Sequence, residues 1–202
     1  MASSDNNSPS NLDNDLLATL RMVAEILQRR GVRYALMGGL AVAARGRVRT
    51  TQDIDLMMSI SQLALPGFLE ELEANGFLID MPDAIQRWNY EGLMPLRSGS
   101  GVRIDFMKAV LPVFDSILQR ATEVDFQGLK LRVIEVEGLL LLKLIAFRPQ
   151  DQLDVRGLLA ANFGHIDLEW VRREWSQLSG LDPSRTAQFE AMIQEFSNPP
   201  AG

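Results

Sequence analysis

The segment Asp53-Ile54-Asp55-Leu56-Met57-Met58 alternates acidic and apolar residues before ending in an apolar pair. In a strand this pattern points Asp53 and Asp55 to one face and Ile54 and Leu56 to the other. The two Cα atoms then lie roughly 6.5 to 7 Å apart, close enough for both carboxylates to converge on one divalent ion. A strand is a poor setting for Asp, so the pair reads as chemistry more readily than the Asp13-Asn14-Asp15 repeat near the start of the chain. Asp105 is a third acid, inside the apolar run Val102-Arg103-Ile104-Asp105-Phe106-Met107. A carboxylate there needs compensation, either by a cation or by an arginine such as Arg132. The chain has no cysteine and one histidine, His165, which excludes thiolate zinc sites, cysteine nucleophiles and multi-histidine metal clusters. Three carboxylates without nitrogen or sulfur ligands select a hard ion, Mg²⁺ or Mn²⁺.

Gly38-Gly39 falls between a short apolar strand and an alanine-rich helical segment. A glycine pair there lets backbone come close to a ligand, and the helix start offers N–H groups to an anion. It stands fourteen residues before Asp53. From Arg29 to Gln52 the chain carries Arg29, Arg30, Arg33, Arg45, Arg47 and Arg49 and no acid. Arg29 and Arg30 read as the basic end of a helix closed by Gly31, while the other four are equally compatible with a phosphate-facing patch. His165 reads as a loop residue ahead of an N-cap at Asp167, and Trp170 and Trp175 as packing residues.

The elements that must hold these residues follow from periodicity. Asp15 to Arg30 has a 3.6-residue apolar stripe and forms a helix; Tyr34 to Met37 and Asp53 to Met58 form strands around a short helix at Leu40 to Arg45. A helix from Ser61 to Asn75 and a short strand at Phe77 to Ile79 come next. Arg87 to Leu96 and Val102 to Met107 then read as a hairpin about Ser98-Gly99-Ser100-Gly101. After a helix at Phe114 to Arg120 and a hairpin turning at Gln127-Gly128, helices take over at Val136 to Phe147, Asp151 to Ala161, Leu168 to Leu178 and Thr186 to Phe196. The expected fold class is α/β (α+β): a small mixed sheet covered by helices, with a helical C-terminal half. The expected divisions are a disordered tail over 1–12, a core over 13–135, and a helical region over 136–198 that forms a subdomain or the other wall of a cleft.

Composition agrees with one ordinary soluble domain: 202 residues, 47% hydrophobic, 23% charged. The apolar run at Leu139 to Phe147 is broken by Lys143 and is far shorter than the about 20 residues a membrane span needs. The first dozen residues lack the basic and apolar blocks of a secretory signal, so the expected location is cytoplasmic. A net charge of −6 opposes nonspecific adhesion to nucleic acid, whereas the local run of arginines favours an RNA contact.

Met37-Gly38-Gly39-Leu40-Ala41 followed by Arg49-Thr50-Thr51-Gln52-Asp53-Ile54-Asp55-Leu56 resembles the first motif of the DNA-polymerase-beta-like nucleotidyltransferase superfamily, most closely the AbiEii-like (type IV toxin) minimal nucleotidyltransferases. Arg103-Ile104-Asp105-Phe106 is similar to the strand carrying that superfamily's third metal-binding acid, and Leu142 to Val155 to its later segment, with Gln150 where the family has lysine. The resemblance implies transfer of a nucleoside monophosphate from a nucleoside triphosphate to an acceptor hydroxyl with release of pyrophosphate. It implies that Asp53, Asp55 and Asp105 are catalytic and hold Mg²⁺ or Mn²⁺, and that Gly38 and Gly39 seat the phosphates. Arg49, Thr51 and Lys143 would steady the triphosphate, with Arg148, Asp151 and Asp154 as support. RNA, tRNA above all, is the favoured acceptor, in a toxin-like setting with a cognate antitoxin. The alternatives are transfer to an aminoglycoside-like antibiotic, or a non-catalytic nucleotide-binding module.

Overall fold

In the computed structural model, which describes residues 9–47, 51–126, 128–178 and 182–197, one seven-stranded sheet runs through the chain. Its strands are β1 (Arg33–Met37), β2 (Asp53–Ser59), β3 (Phe77–Leu78), β4 (Leu93–Ser98), β5 (Arg103–Lys108), β6 (Thr122–Phe126) and β7 (Leu129–Val133), in the spatial order β3-β4-β5-β2-β1-β7-β6. The pairs β2/β5 and β1/β7 are parallel and the rest antiparallel. The mixed sheet with helices packed on it is the α/β architecture expected from the sequence.

The helices are α1 (Pro9–Arg29), α2 (Gly38–Ala44), α3 (Leu65–Ala74), α4 (Met81–Tyr90), α5 (Pro112–Arg120), α6 (Val136–Ala146), α7 (Pro149–Asn162), α8 (Leu168–Leu178) and α9 (Pro183–Ser197). Helix α1 starts at Pro9, inside the segment expected to be a tail, and so is longer than its apolar stripe suggests. The larger correction is α4, where the sequence pattern was read as the first arm of a hairpin. Asp80 caps it by accepting from the Asp83 backbone N–H at 3.1 Å, proline occupies its first turn, and Ala84 and Trp88 are buried four residues apart. The hairpin itself is real but begins only at Leu93.

Helix α6 is apolar nearly all round because it is enclosed: Leu139, Leu140, Leu141 and Leu144 are all fully buried. It lies beside α2, α7 and α8, and with the sheet it encloses the space in which the acidic residues stand. At its end Phe147 takes a left-handed conformation, φ +50°, which turns the chain sharply into α7. Among the described residues no helix is long and apolar enough to cross a membrane.

Candidate active site

Asp53 and Asp55 open β2, and Asp105 lies on β5 beside them. The parallel register pairs Asp55 with Asp105 and Asp53 with Arg103, and the antiparallel register sets Met37 against Asp55. All three acids are half-buried on one face of the sheet, while Ile54, Leu56, Ile104 and Phe106 on the opposite face are fully buried. The two-residue alternation thus separates core from site within each strand.

The acids line a cleft of about 610 Å³ whose other walls are Gly38, Gly39 and Thr51 on one side and Leu139, Leu142, Lys143, Arg148 and Asp151 on the other. Glycine is required where α2 begins beside Asp55. Gly38 has φ +65°, and a Cβ there would fall onto the Asp55 carboxyl group. A Cβ on Gly39 would stand 2.8 Å from Thr51 Cβ. The Gly39 backbone N–H donates to Asp55, so the start of α2 engages a site carboxylate.

Burial pushes the Asp55 carboxyl above the usual range, the neighbouring Asp105 and Asp53 charges push it further, and Lys143 and the Gly39 amide oppose them. Three carboxylates thus share one half-buried face and the donors are hard oxygens, a setting whose chemistry fits Mg²⁺ or Mn²⁺. Asp105 is turned toward Arg103, which grips both its oxygens at 2.8 and 3.0 Å. Among the described residues no three acidic or histidine side chains are gathered closely enough to hold a metal.

The family resemblance gives Lys143 the role of steadying a triphosphate. Lys143 meets two aspartates of its own chain. Its Nζ lies 2.9 Å from both Asp151 and Asp154; the three side chains are 8%, 1% and 0% exposed. Burial would raise Asp151, but hydrogen bonds from Arg148 and Lys143 more than reverse this and hold it below the usual carboxylate range. Asp154 also receives Arg47, whose stem lies over Gly157 so closely that a Cβ there would overlap it. Arg47 thus ties the chain segment ahead of β2 to α7.

The run of arginines that suggested a phosphate-facing patch is largely occupied within the protein. Arg29 and Arg30 both pair with Glu71, Arg33 pairs with Asp115 at 3.0 Å, and Arg45 donates to the carbonyls of Ile134 and Val133 at 3.0 and 2.8 Å. Arg49 lies outside the described residues. Sequence reasoning placed Arg47 in a phosphate-facing patch, whereas it pairs with Asp154, and it gave Arg103 no role. Arg103 was detectable, since it stands two residues before Asp105 on the same strand face.

Comparison with known proteins bears on the whole fold. No protein of curated function matches the sequence. An antigenic nucleotidyltransferase-like protein from Paracoccidioides brasiliensis is 20% identical, with 91% of this chain and 98% of that one aligned and a TM-score of 0.51. The structure of ANT(2″)-Ia in complex with adenylyl-2″-tobramycin is 17% identical over 83% of this chain and 99% of that one, TM-score 0.56. The solution structure of the antibiotic-resistance factor ANT(2″)-Ia gives 16%, 91%, 99% and 0.55. At these identities the likeness is one of fold. Residues 16–180 match the family described as nucleotidyl transferase of unknown function (DUF2204), a span containing the whole sheet and every residue of the cleft described above. The chain belongs to that nucleotidyl transferase family.

Proposed function

We propose that this protein is a metal-dependent nucleotidyltransferase that moves a nucleoside monophosphate from a nucleoside triphosphate to a hydroxyl of RNA, with pyrophosphate as the other product. The observation that carries the reading is the shared register of Asp55 and Asp105 beside a glycine pair that only a bare backbone fits. In the reaction the acceptor oxygen forms a bond to the α-phosphorus as the bond from that phosphorus to the pyrophosphate oxygen breaks. Asp53 and Asp55, joined by Asp105 once it leaves Arg103, are the residues that would hold Mg²⁺ or Mn²⁺, and the ion would offset phosphate charge and acidify the acceptor hydroxyl.

The remaining chemistry belongs to the chain's own groups. Gly38 and Gly39 leave room for the triphosphate against backbone, and Thr51 and Lys143 flank the departing pyrophosphate. The ion pairs with Asp151 and Asp154 hold Lys143 at the cleft wall in a fixed orientation, making Asp151, Asp154 and Arg148 supporting residues. Asp105 is the acid nearest the acceptor, since it lines both the cleft and the smaller groove that joins it.

A toxin-like role in the cytoplasm, close to the AbiEii-like group and restrained by an antitoxin, is the setting in which RNA modification of this kind fits. The direct test is incubation with Mg²⁺, total tRNA and each of labelled ATP, GTP, CTP and UTP, following label transfer and pyrophosphate. Transfer lost in Asp55→Ala supports the reading. Nucleotide binding with no pyrophosphate released under any condition would leave a binding module instead.

A further inference from the structure

Beyond Asp105 the cleft does not close. Across β3, β4, β5 and β2 the register runs Leu78, Arg97, Arg103, Asp53, and the next row runs Pro95, Asp105, Asp55. Directly paired residues share a face, so Arg97 and Arg103 project on the same side of the sheet as the three aspartates. They line a trough of about 400 Å³ with Leu78 and Pro95, and Arg103 also borders both the main cleft and the small groove between them. Three strand spacings separate Asp53 from Leu78, roughly 14 Å, and the outer end opens at the short edge strand β3.

Two guanidinium groups directly opposite one another repel unless an anion lies between or beside them. Arg103 has one, Asp105. Arg97 has none: among the described residues it pairs with no carboxylate, and its hydrogen bond goes to the Gly101 carbonyl at 3.2 Å. Leu78, 71% exposed, and Pro95 give the trough an apolar margin beside that charge. An anionic acceptor with apolar faces is complementary to this surface, whereas a polycation would meet the arginines before reaching the aspartates.

We infer that the Arg97–Arg103 trough is the acceptor subsite, and that it takes the phosphate backbone of a single-stranded polynucleotide whose terminal hydroxyl enters the cleft at Asp105. The inference rests on the transferase reading and gives the RNA acceptor a surface that the Arg29–Arg47 segment, paired within the protein, does not supply. The trough's length and open outer end suit an extended chain better than a single small phosphate.

The experiment measures binding of a short fluorescein-labelled single-stranded RNA with a free 3′ hydroxyl, by anisotropy over a salt series. Wild type is compared with Arg97→Glu, and with Lys130→Glu, an exposed lysine on β7, as a charge-matched control. Arg97→Glu should weaken binding at least tenfold and flatten the dependence of log K on log salt by about 1, and Lys130→Glu should do neither. In transfer assays it should raise KM for RNA and leave KM for the nucleotide unchanged. Wild-type RNA affinity in Arg97→Glu overturns the trough. So does pyrophosphate release by wild type with a neutral or polycationic acceptor while RNA stays unbound, an outcome that leaves the transferase reading standing. RNA bound through Arg97 with no pyrophosphate released under any condition leaves the trough an RNA-binding surface and overturns both the transferase reading and the trough's role as acceptor subsite.

Discussion

Asp55 lies directly beside Asp105 across the parallel β2–β5 pair, so strand register sets the two acids at neighbouring positions on one sheet face. Each of Asp53→Ala, Asp55→Ala and Asp105→Ala should lower transfer by at least about 10³-fold, since each removes a group worth several kcal/mol of charge stabilisation in the transition state. Far-ultraviolet circular dichroism should remain that of wild type, because these side chains are half-buried on the cleft face and outside the apolar core.

Stability should respond to pH with opposite signs at Asp55 and Asp151. Asp55 titrates above its ordinary value in the folded protein, so the folded state holds that proton more tightly than the unfolded chain does. Its ionisation lowers stability as pH rises through the carboxylate range and beyond. Asp55→Asn should therefore raise the melting temperature of the metal-free protein at pH 7, with no gain below the ordinary carboxylate range. Asp151 is held below its ordinary value, so its contribution is present at neutral pH and is lost as pH falls. Asp151→Asn should lower the melting temperature at pH 7, and the difference from wild type should shrink in acid. Thermal scans from pH 3 to 8 with and without Mg²⁺ check both, and Mg²⁺ should stabilise wild type more than Asp55→Asn.

Lys143→Met should destabilise the fold by about 3–5 kcal/mol, because it removes the buried cation shared by two almost completely buried carboxylates and leaves Arg148 and Arg47 to offset them. Urea denaturation measures the loss. Lys143→Met combined with Asp151→Asn should recover part of it, as the remaining cations then face one fewer acid.

Gly38→Ala should be far more damaging than an ordinary glycine substitution. The left-handed conformation alone costs an L-residue roughly 1–2 kcal/mol, and the added methyl must displace the Asp55 carboxyl. Melting temperature and kcat should fall together, whereas Gly31→Ala, whose Cβ meets nothing within 4 Å, should affect melting temperature only.

Gly157→Ala tests the tie between α7 and the segment before β2. Its methyl occupies the path of the Arg47 stem, so Arg47 must leave Asp154 or α7 must shift, at about 1–3 kcal/mol. Nucleotide KM should rise, with Thr51 less firmly held against Gly39; denaturation and steady-state kinetics separate the two effects.

The sequence by itself determined that Asp53 and Asp55 share a face, because strand alternation is a local rule, and that an acid amid the apolar residues of Val102 to Met107 required compensation. It also determined most element positions, since a buried stripe repeats at 2 or 3.6 residues regardless of its partners. It misassigned α4, where the start signals at Asp80 and Pro82 were weaker to the eye than the neighbouring hairpin. Only the tertiary structure decided which strands touch, and hence that Asp55 and Asp105 share a register although some fifty residues of chain separate them. It decided equally that Lys143 faces Asp151 and Asp154, that the arginines from Arg29 to Arg47 have partners inside the protein, and that Arg97 stands opposite Arg103. The physical reason is the same in each case. An ion pair or a cross-strand neighbour depends on how distant segments are brought together in space, and no repeat along the chain records that.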